Sequence, residues 1–188
     1  MISWPALGQR VVAWLRRWLG NWRSHAVTVL LVLAIALGVN AWQTRDVPTG
    51  PAPEFQALLA GAPQDTQLAL SQWRARHAGR AVALHFWADW CPICRMEEGS
   101  ITAVQQDWPV LAVAMRSGTP GHVAGVLQQR GLPWASVNDP DGGIAARYGL
   151  KAVPAFIVLD ASGQIRHAAV GYTTETGMRL RLWLAQHF

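Results

Sequence analysis

The sequence predicts an α/β domain, built on a central mixed sheet flanked by helices, behind an N-terminal transmembrane helix. Three observations predict this fold class. Short runs that are apolar almost throughout lie at 81–87, 110–115 and 156–159, and they have the length of strands buried on both faces. Segments of helical length separate these runs. A further apolar run at 26–39 precedes the whole domain.

The basic residues divide the chain into two parts of different charge. Residues 1–43 carry four arginines and no acidic residue, whereas residues 44–188 are close to neutral. The net charge of +5 therefore marks a basic leader and not a phosphate-binding surface, and we expect no nucleic acid partner. The four arginines are Arg10, Arg16, Arg17 and Arg23.

The apolar run predicts a membrane anchor over 25–43, with Trp22 and Trp42 near its two ends. All four leader arginines precede it, so the positive-inside rule places the N-terminus in the cytoplasm and the following domain in the periplasm of a bacterium, beyond a single-pass inner-membrane span. Apolar residues of 1–24 recur at helical spacing, which predicts a basic amphipathic helix on the cytoplasmic surface. A cleavable signal peptide is the alternative, but so long a leader is unusual for one.

The outer part of the chain is predicted as a proline-rich extended tether over 44–54 and one domain over 55–188. Strand, helix and strand at 81–87, 94–106 and 110–115 predict a right-handed parallel crossover. The other predicted elements are a strand at 67–70, helices at 71–77, 122–130 and 141–148, a hairpin pairing 156–159 with 165–170, and a closing helix at 175–187 with Met178, Leu182 and Trp183 facing the sheet.

The only two cysteines, Cys91 and Cys94, lie where the first buried strand passes into a helix. A sulfur at a helix N-terminus faces unpaired backbone N–H groups, which stabilise a thiolate, so we expect Cys91 to attack. Cys94 lies one turn later on the same face and is expected to resolve the mixed disulfide. Pro92 suits the first helical turn. The pair also resembles half of a zinc site, but no histidines at ligand spacing complete it, and no metal is expected.

A second element of the predicted site is Val153-Pro154, directly before a buried strand. A proline cannot donate a hydrogen bond to a neighbouring strand, and it is best accommodated there as a cis peptide.

These motifs resemble a known family. Residues 85–97, HFWADWCPICRME, together with YGLKAVP at 148–154 and FIVLD at 156–160, resemble the membrane-anchored thioredoxin-like proteins of the TlpA type. Residues 170–183, VGYTTETGMRLRLW, resemble more narrowly the suppressor-of-copper-sensitivity D branch. The resemblance implies a thioredoxin-like fold and a redox-active Cys91–Cys94 disulfide with no other cofactor.

The resemblance also implies which residues meet the client protein. Cis Pro154 would lie beside the disulfide, and the backbone of Val153 would pair with the bound client. Trp90, Pro92 and Ile93 are predicted to complete this client-binding face, with Trp90 as an exposed aromatic.

The histidine at position 85 stands where thioredoxin carries a buried acid. Two interpretations of His85 remain open: a proton shuttle beneath Cys94, or a hydrogen-bonded histidine of the core. We expect Trp87 to be a core residue. Glu97 and Glu98 are expected on solvated faces of the helix.

The predicted function is therefore protein disulfide exchange in the periplasm, in the direction of a reductase. Its partners would be client proteins with cysteines or disulfides and a thiol-reducing electron carrier of the inner membrane, with a link to copper or oxidative stress tolerance. A disulfide-forming oxidant is one alternative. A copper-binding chaperone is another, although such chaperones typically use a wider cysteine spacing and a downstream histidine.

Overall fold

The structure is a computed structural model that describes residues 22–63 and 66–188. The chain divides into two units, residues 1–42 and 43–188. The predicted amphipathic leader helix over 1–24 lies outside the described residues except for its last three positions.

The first described helix, α1, runs from Trp22 to Thr44. Its segment Ser24–Thr44 has a mean hydropathy of 2.0 and is long enough to cross a membrane. At 1.5 Å per residue the segment is about 30 Å long, which matches the hydrocarbon thickness of a bilayer. The hydroxyl of Thr28 donates to the Ser24 carbonyl at 2.9 Å, so this polar group is satisfied within the helix. Length and composition thus agree with the predicted anchor, and crossing itself stays a prediction.

The elements of the second unit are β1 (Gly50–Pro51), β2 (Gln56–Leu58), β3 (Gln67–Ala69), α2 (Leu70–Ala75), β4 (Val82–Trp87), α3 (Pro92–Gln105), β5 (Val110–Met115), α4 (Pro120–Gln129), β6 (Ser136–Asp139), α5 (Gly143–Arg147), β7 (Ala155–Leu159), β8 (Gln164–Val170) and α6 (Glu175–His187). They form a six-stranded mixed sheet in the order β1-β8-β7-β4-β5-β6 and a separate two-stranded sheet, β2-β3. Strand β4 pairs in parallel with β5, and β5 with β6, while β7 is antiparallel to both of its neighbours. The predicted mixed sheet and the parallel crossover through α3 are therefore confirmed.

Two hydrophobic cores lie on opposite faces of the sheet, because alternate residues of the central strands point to opposite sides. Helices α3, α4 and α6 contribute to one core, and α2, α5 and Phe55 contribute to the other. Every residue of β4, β5 and β7 is buried, as the apolar runs predicted. Trp87 is fully buried among them, and its indole Nε1 donates to Ser136 Oγ at 3.3 Å. Its predicted place in the core is confirmed.

Part of the segment predicted as a tether belongs to the domain. Gly50 and Pro51 pair with β8 at the edge of the sheet, a position where a proline costs no ladder hydrogen bond. Nearer to α1, the carboxylate of Asp46 contacts Lys151 Nζ at 2.6 Å. The Asp46 carbonyl also occupies the space that a Cβ on Gly149 would need, so only glycine fits there.

One residue of the last helix, Trp183, lies on a different face from the one predicted. Met178, Leu182 and Ala185 form the buried stripe of α6, but Trp183 is 46% exposed and does not face the sheet. Positions 178, 182 and 185 recur at helical spacing, and Trp183 lies about 100° away from Leu182 around the helix axis.

Candidate active site

The two cysteines lie at the carboxyl end of β4, where the chain turns into α3. A turn closed by the Cys91 N–H and the Ala88 carbonyl at 3.3 Å leads into the helix, and Cys91 is the N-cap residue. Cys91 and Cys94 form a disulfide, with their Cα atoms 5.3 Å apart. Cys91 Sγ accepts the backbone N–H of Cys94 at 3.1 Å, and Pro92 occupies the first turn. Both cysteines lie at the start of the helix after β4, as the sequence predicts. The position of Cys91 at the helix N-terminus favours a thiolate on this residue once the disulfide is reduced.

The predicted second element lies directly beside the disulfide. The Val153–Pro154 peptide is cis, and the Val153 carbonyl oxygen is 3.7 Å from Cys91 Sγ. The Pro154 carbonyl accepts the N–H of Gly171 at 2.8 Å, which brings the loop after β8 to the same edge. The resemblance implied that residues 91 and 153 meet, whereas no sequence pattern indicated that residue 171 joins them.

Four large, exposed apolar side chains lie within two residues of the cysteines or of Gly171 in the sequence, and we call them the apolar rim. They are two of the predicted client-binding residues, Trp90 and Ile93, and two residues that the sequence analysis missed, Met96 and Tyr172. All four keep at least 43% of their surface exposed, whereas large apolar side chains are more often buried. Tyr172 could have been found from its position directly after Gly171, at the end of β8. Such a rim is suited to the apolar side chains that flank a cysteine in an unfolded or extended client.

The buried histidine of β4 lacks the hydrogen bonds expected of a core histidine. His85 is fully buried, and neither ring nitrogen has a hydrogen-bond partner among the described residues. Burial lowers the pKa of His85 to about 3, so the ring is neutral at pH 7. The rings of His85 and Trp87 both meet Trp134 edge to face, with centroids 5.5 Å apart, which confirms that the two side chains share one face of β4.

A buried acid lies one helical turn after Cys94. Glu97 was expected to be solvated, but it is 1% exposed, and this expectation is wrong. Its Oε1 accepts the backbone N–H of Thr173, in the loop after β8. Burial raises the pKa of Glu97 to about 7, so its carboxyl group titrates near neutral pH. Because residues three apart on a helix share a face and have Cβ atoms about 5–6 Å apart, Glu97 lies on the buried face of α3 that carries Cys94.

A polar network fixes the residue that precedes Trp90. Arg130 donates to Glu98 Oε1 at 2.8 Å and to the Asp89 carbonyl at 2.9 Å. The carboxylate of Asp89 contacts His122 Nε2 at 2.9 Å. We expected Glu98 to be solvated. It is instead paired with Arg130 at the end of α4. These contacts join β4, α3 and α4 around the loop that carries the disulfide.

Within the described residues, no group of three or more histidine, cysteine or acidic side chains is arranged to hold a metal ion.

Comparison with known proteins gives a consistent result. The model of the AhpC/TSA family matches residues 48–168. The thiol:disulfide interchange protein HelX of Rhodobacter capsulatus is 30% identical over 159 residues, which cover 78% of this chain and 86% of HelX. A DsbE homolog, also described as a thiol:disulfide interchange protein, from Paracoccus denitrificans is 36% identical over 89 residues, covering 47% of this chain and 49% of that protein. The chain spans about half to two thirds of the length of this and two other curated relatives.

Solved structures agree on the fold. A secreted thiol-disulfide isomerase from Corynebacterium glutamicum superposes with a TM-score of 0.63 at 22% identity, covering 72% of this chain and 86% of that one. A putative DsbE from Chlorobium tepidum gives 0.63 at 24% identity, covering 74% and 99%. At such identities the likeness shows a thioredoxin-like fold, as predicted.

Proposed function

Because this chain belongs to the AhpC/TSA family of thioredoxin-like proteins, we propose that it is a protein thiol–disulfide oxidoreductase that works through Cys91 and Cys94. One observation carries the proposal. The Cys91–Cys94 disulfide lies at the N-terminus of α3 beside the carbonyl of Val153, and its neighbours in the sequence, Trp90 and Ile93, are exposed apolar side chains. The similarity to HelX and to the DsbE homolog, both thiol:disulfide interchange proteins, supports the same chemistry.

The proposed reaction transfers two electrons from the dithiol protein to a client disulfide. The Cys91 thiolate attacks one client sulfur, so that a Cys91–client disulfide forms, the client S–S bond breaks, and the first client thiolate takes up a proton. Cys94 then loses its proton and attacks Cys91 Sγ. The Cys91–Cys94 disulfide forms, and the second client sulfur leaves as a thiolate and is protonated.

The second step needs a group that accepts the proton of Cys94. Glu97 suits this role because its carboxyl group titrates near pH 7 and lies on the same buried face of α3. His85, the candidate from sequence, remains as a second proposed carrier. Its low pKa makes it a much weaker base at neutral pH.

We further propose that the protein acts as a reductase. Stabilising the thiolate makes a dithiol pair more oxidising, so the groups around Cys91 Sγ influence the direction of electron transfer between the protein and its client. Two polar contacts of this sulfur are present in the described residues: the N–H of Cys94 at 3.1 Å and the carbonyl oxygen of Val153 at 3.7 Å. The N–H favours a thiolate on Cys91, whereas the carbonyl oxygen can accept a hydrogen bond only from the protonated thiol and therefore opposes ionisation. This balance supports a moderate potential rather than a strongly oxidising one.

The proposed location is the periplasmic side of a bacterial inner membrane, with α1 as a single-pass anchor. The basic leader before α1 and the span-length helix support it. A thiol-reducing electron carrier of that membrane would then return the pair to the dithiol state. The proposed link to copper tolerance rests on the resemblance of residues 170–183 alone.

The chemistry is tested with a model client. We expect the reduced full-length protein, in detergent, to reduce the interchain disulfides of insulin and to end as the Cys91–Cys94 disulfide, with one disulfide consumed per protein. Protein whose thiols have been alkylated beforehand is the control and should be inactive. Reduction at the same rate by the alkylated protein would contradict the proposal.

The topology is tested with reporter fusions in a bacterial host. Alkaline phosphatase, which is active only outside the cytoplasm, should be active when fused after Pro53 and inactive when fused before α1, because the arginines hold the N-terminus inside. An inactive fusion after Pro53 would contradict the external location. A mature protein that begins at Trp42 would show that the leader is a cleaved signal peptide.

A further inference from the structure

One residue beside the proposed site has an unusual backbone. Arg116, the first residue after β5, has a φ of 48° and is the only non-glycine residue in the described part of the chain with a positive φ. A side chain in this left-handed region is crowded by the backbone, and glycine adopts the same conformation without that cost. Conformations of this kind persist where the surrounding structure holds them, often at functional sites.

The surroundings of Arg116 hold the backbone in place. Its N–H donates to the Asp139 carbonyl at 2.8 Å, and its Nε donates to the Asp141 carbonyl at 3.2 Å. The next residue, Ser117, is 2% exposed, and its hydroxyl donates to the Met115 carbonyl at 3.1 Å. The turn at 116–117 is thus tied to β5, to β6 and to the start of the loop after β6.

The same two residues hold the chain that leads into the disulfide. The Arg116 carbonyl accepts the indole Nε1–H of Trp90 at 3.0 Å, and Ser117 Oγ accepts the backbone N–H of Asp89 at 3.1 Å. Adjacent residues of one loop therefore bind adjacent residues of the other. Trp90 remains 56% exposed, so this bond fixes the ring without removing it from the apolar rim.

We propose that Arg116 and Ser117 form a clamp that holds the Trp90 indole in its client-binding orientation, Arg116 acting through its left-handed backbone and its carbonyl. The proposal rests on the proposed function, because it assigns Trp90 to the client surface. Arg116 is a positioning residue: it touches neither sulfur and acts through Trp90. An aromatic ring held in advance loses less conformational entropy when a client binds, and this lowers the KM for proteins.

Two substitutions separate the backbone of Arg116 from its side chain. Arg116→Gly keeps the left-handed conformation and removes the guanidinium, whereas Arg116→Val brings in a β-branched residue for which a positive φ is an outlier. Excess dithiothreitol returns the protein to the dithiol state in these assays, and the uncatalysed rate is subtracted. Because one hydrogen bond contributes modestly, we expect Arg116→Val to raise the KM for insulin roughly three- to tenfold. Arg116→Gly should keep the KM of the wild type. Arg76→Val, at an exposed residue with an ordinary φ of −69°, is the matched control for the loss of an arginine.

Two further readouts distinguish positioning from a general structural effect. Glutathione disulfide is too small to need the Trp90 surface. The rate of its reduction should therefore change by less than about twofold in Arg116→Val, which is less than the loss of one hydrogen bond would cause. In protein labelled with 5-fluorotryptophan, the fluorine NMR resonance of Trp90 is assigned as the one that disappears in Trp90→Phe. This resonance should shift in Arg116→Val and keep its position in Arg116→Gly.

The decisive comparison uses Trp90→Phe, which removes the N–H donor and keeps an aromatic ring. In that background Arg116→Val should have no further effect on the KM, because the bond that it disturbs is absent.

A full additional effect in that background would overturn the proposal. Equal KM values for Arg116→Val and wild type, or equal increases in the Gly and Val variants, would also overturn it. A fall in glutathione disulfide reduction in step with insulin would show a structural defect and overturn it too. Failure of the wild type with both substrates would instead refute the proposed function.

Discussion

Cys94→Ala is expected to accumulate stable mixed disulfides with client proteins, whereas Cys91→Ala reacts with none and loses exchange activity down to the uncatalysed rate. The reason is the position of the two sulfurs. Cys91 caps α3 and its Sγ accepts the N–H of Cys94, so in the proposed reaction Cys91 forms the first bond to the client and Cys94 breaks this bond. The adducts are measured on non-reducing gels after thiols are trapped with acid, and reduction should release them.

The variant with both cysteines replaced by alanine is the control and should form no adduct. Adducts on Cys91→Ala in place of Cys94→Ala would reverse the two roles. Adducts with neither single variant, from a folded protein that still reduces insulin, would mean that the exchange does not proceed through this pair.

Glu97→Gln is expected to slow the release of the client from the mixed disulfide by about a hundredfold at pH 7, a typical loss when an acid–base group is removed. In the wild type, Glu97 accepts a proton only when ionised. With its pKa at about 7, the release rate should fall as the pH falls below 7 and level off above it. The glutamine keeps a carbonyl acceptor for the Thr173 N–H, so the fold is preserved, but the step in the pH profile should disappear.

The matched variant is His85→Leu, measured by stopped flow on a preformed mixed disulfide over the same pH series. Because the pKa of His85 is about 3, its ring stays neutral over this range, and we expect at most a several-fold change with the pH step intact. A pH step that survives in Glu97→Gln and is lost in His85→Leu would assign the proton transfer to His85.

The parts of the fold that the sequence predicts best are those governed by burial alone. The runs at 81–87, 110–115 and 156–159 became β4, β5 and β7 with ends shifted by at most one residue, because strands buried on both faces admit almost no polar side chains. The cysteine pair and cis Pro154 were predictable for a similar reason. Each depends on a local backbone position, a helix N-terminus or a strand end, that neighbouring residues define.

The errors at Glu97 and Glu98 concern residues whose partners come from distant parts of the chain. The charge of Glu97 led us to expect solvation, yet its spacing of three from buried Cys94 already places it on the same face of α3. The group that covers it, the Thr173 N–H, lies 76 positions further along the chain. Trp90 is exposed, as predicted, but its partner Arg116 adopts a left-handed backbone that no sequence pattern signals.

The reduction potential of the Cys91–Cys94 pair, measured by equilibration with glutathione buffers, tests the proposed reductase most directly. We expect a value in the range of the reducing members of this class, at or below about −200 mV, because the one N–H at Cys91 Sγ is opposed by the Val153 carbonyl. A value near about −120 mV, typical of a strong disulfide-forming oxidant, would contradict the proposed reductase and reverse the direction of electron flow.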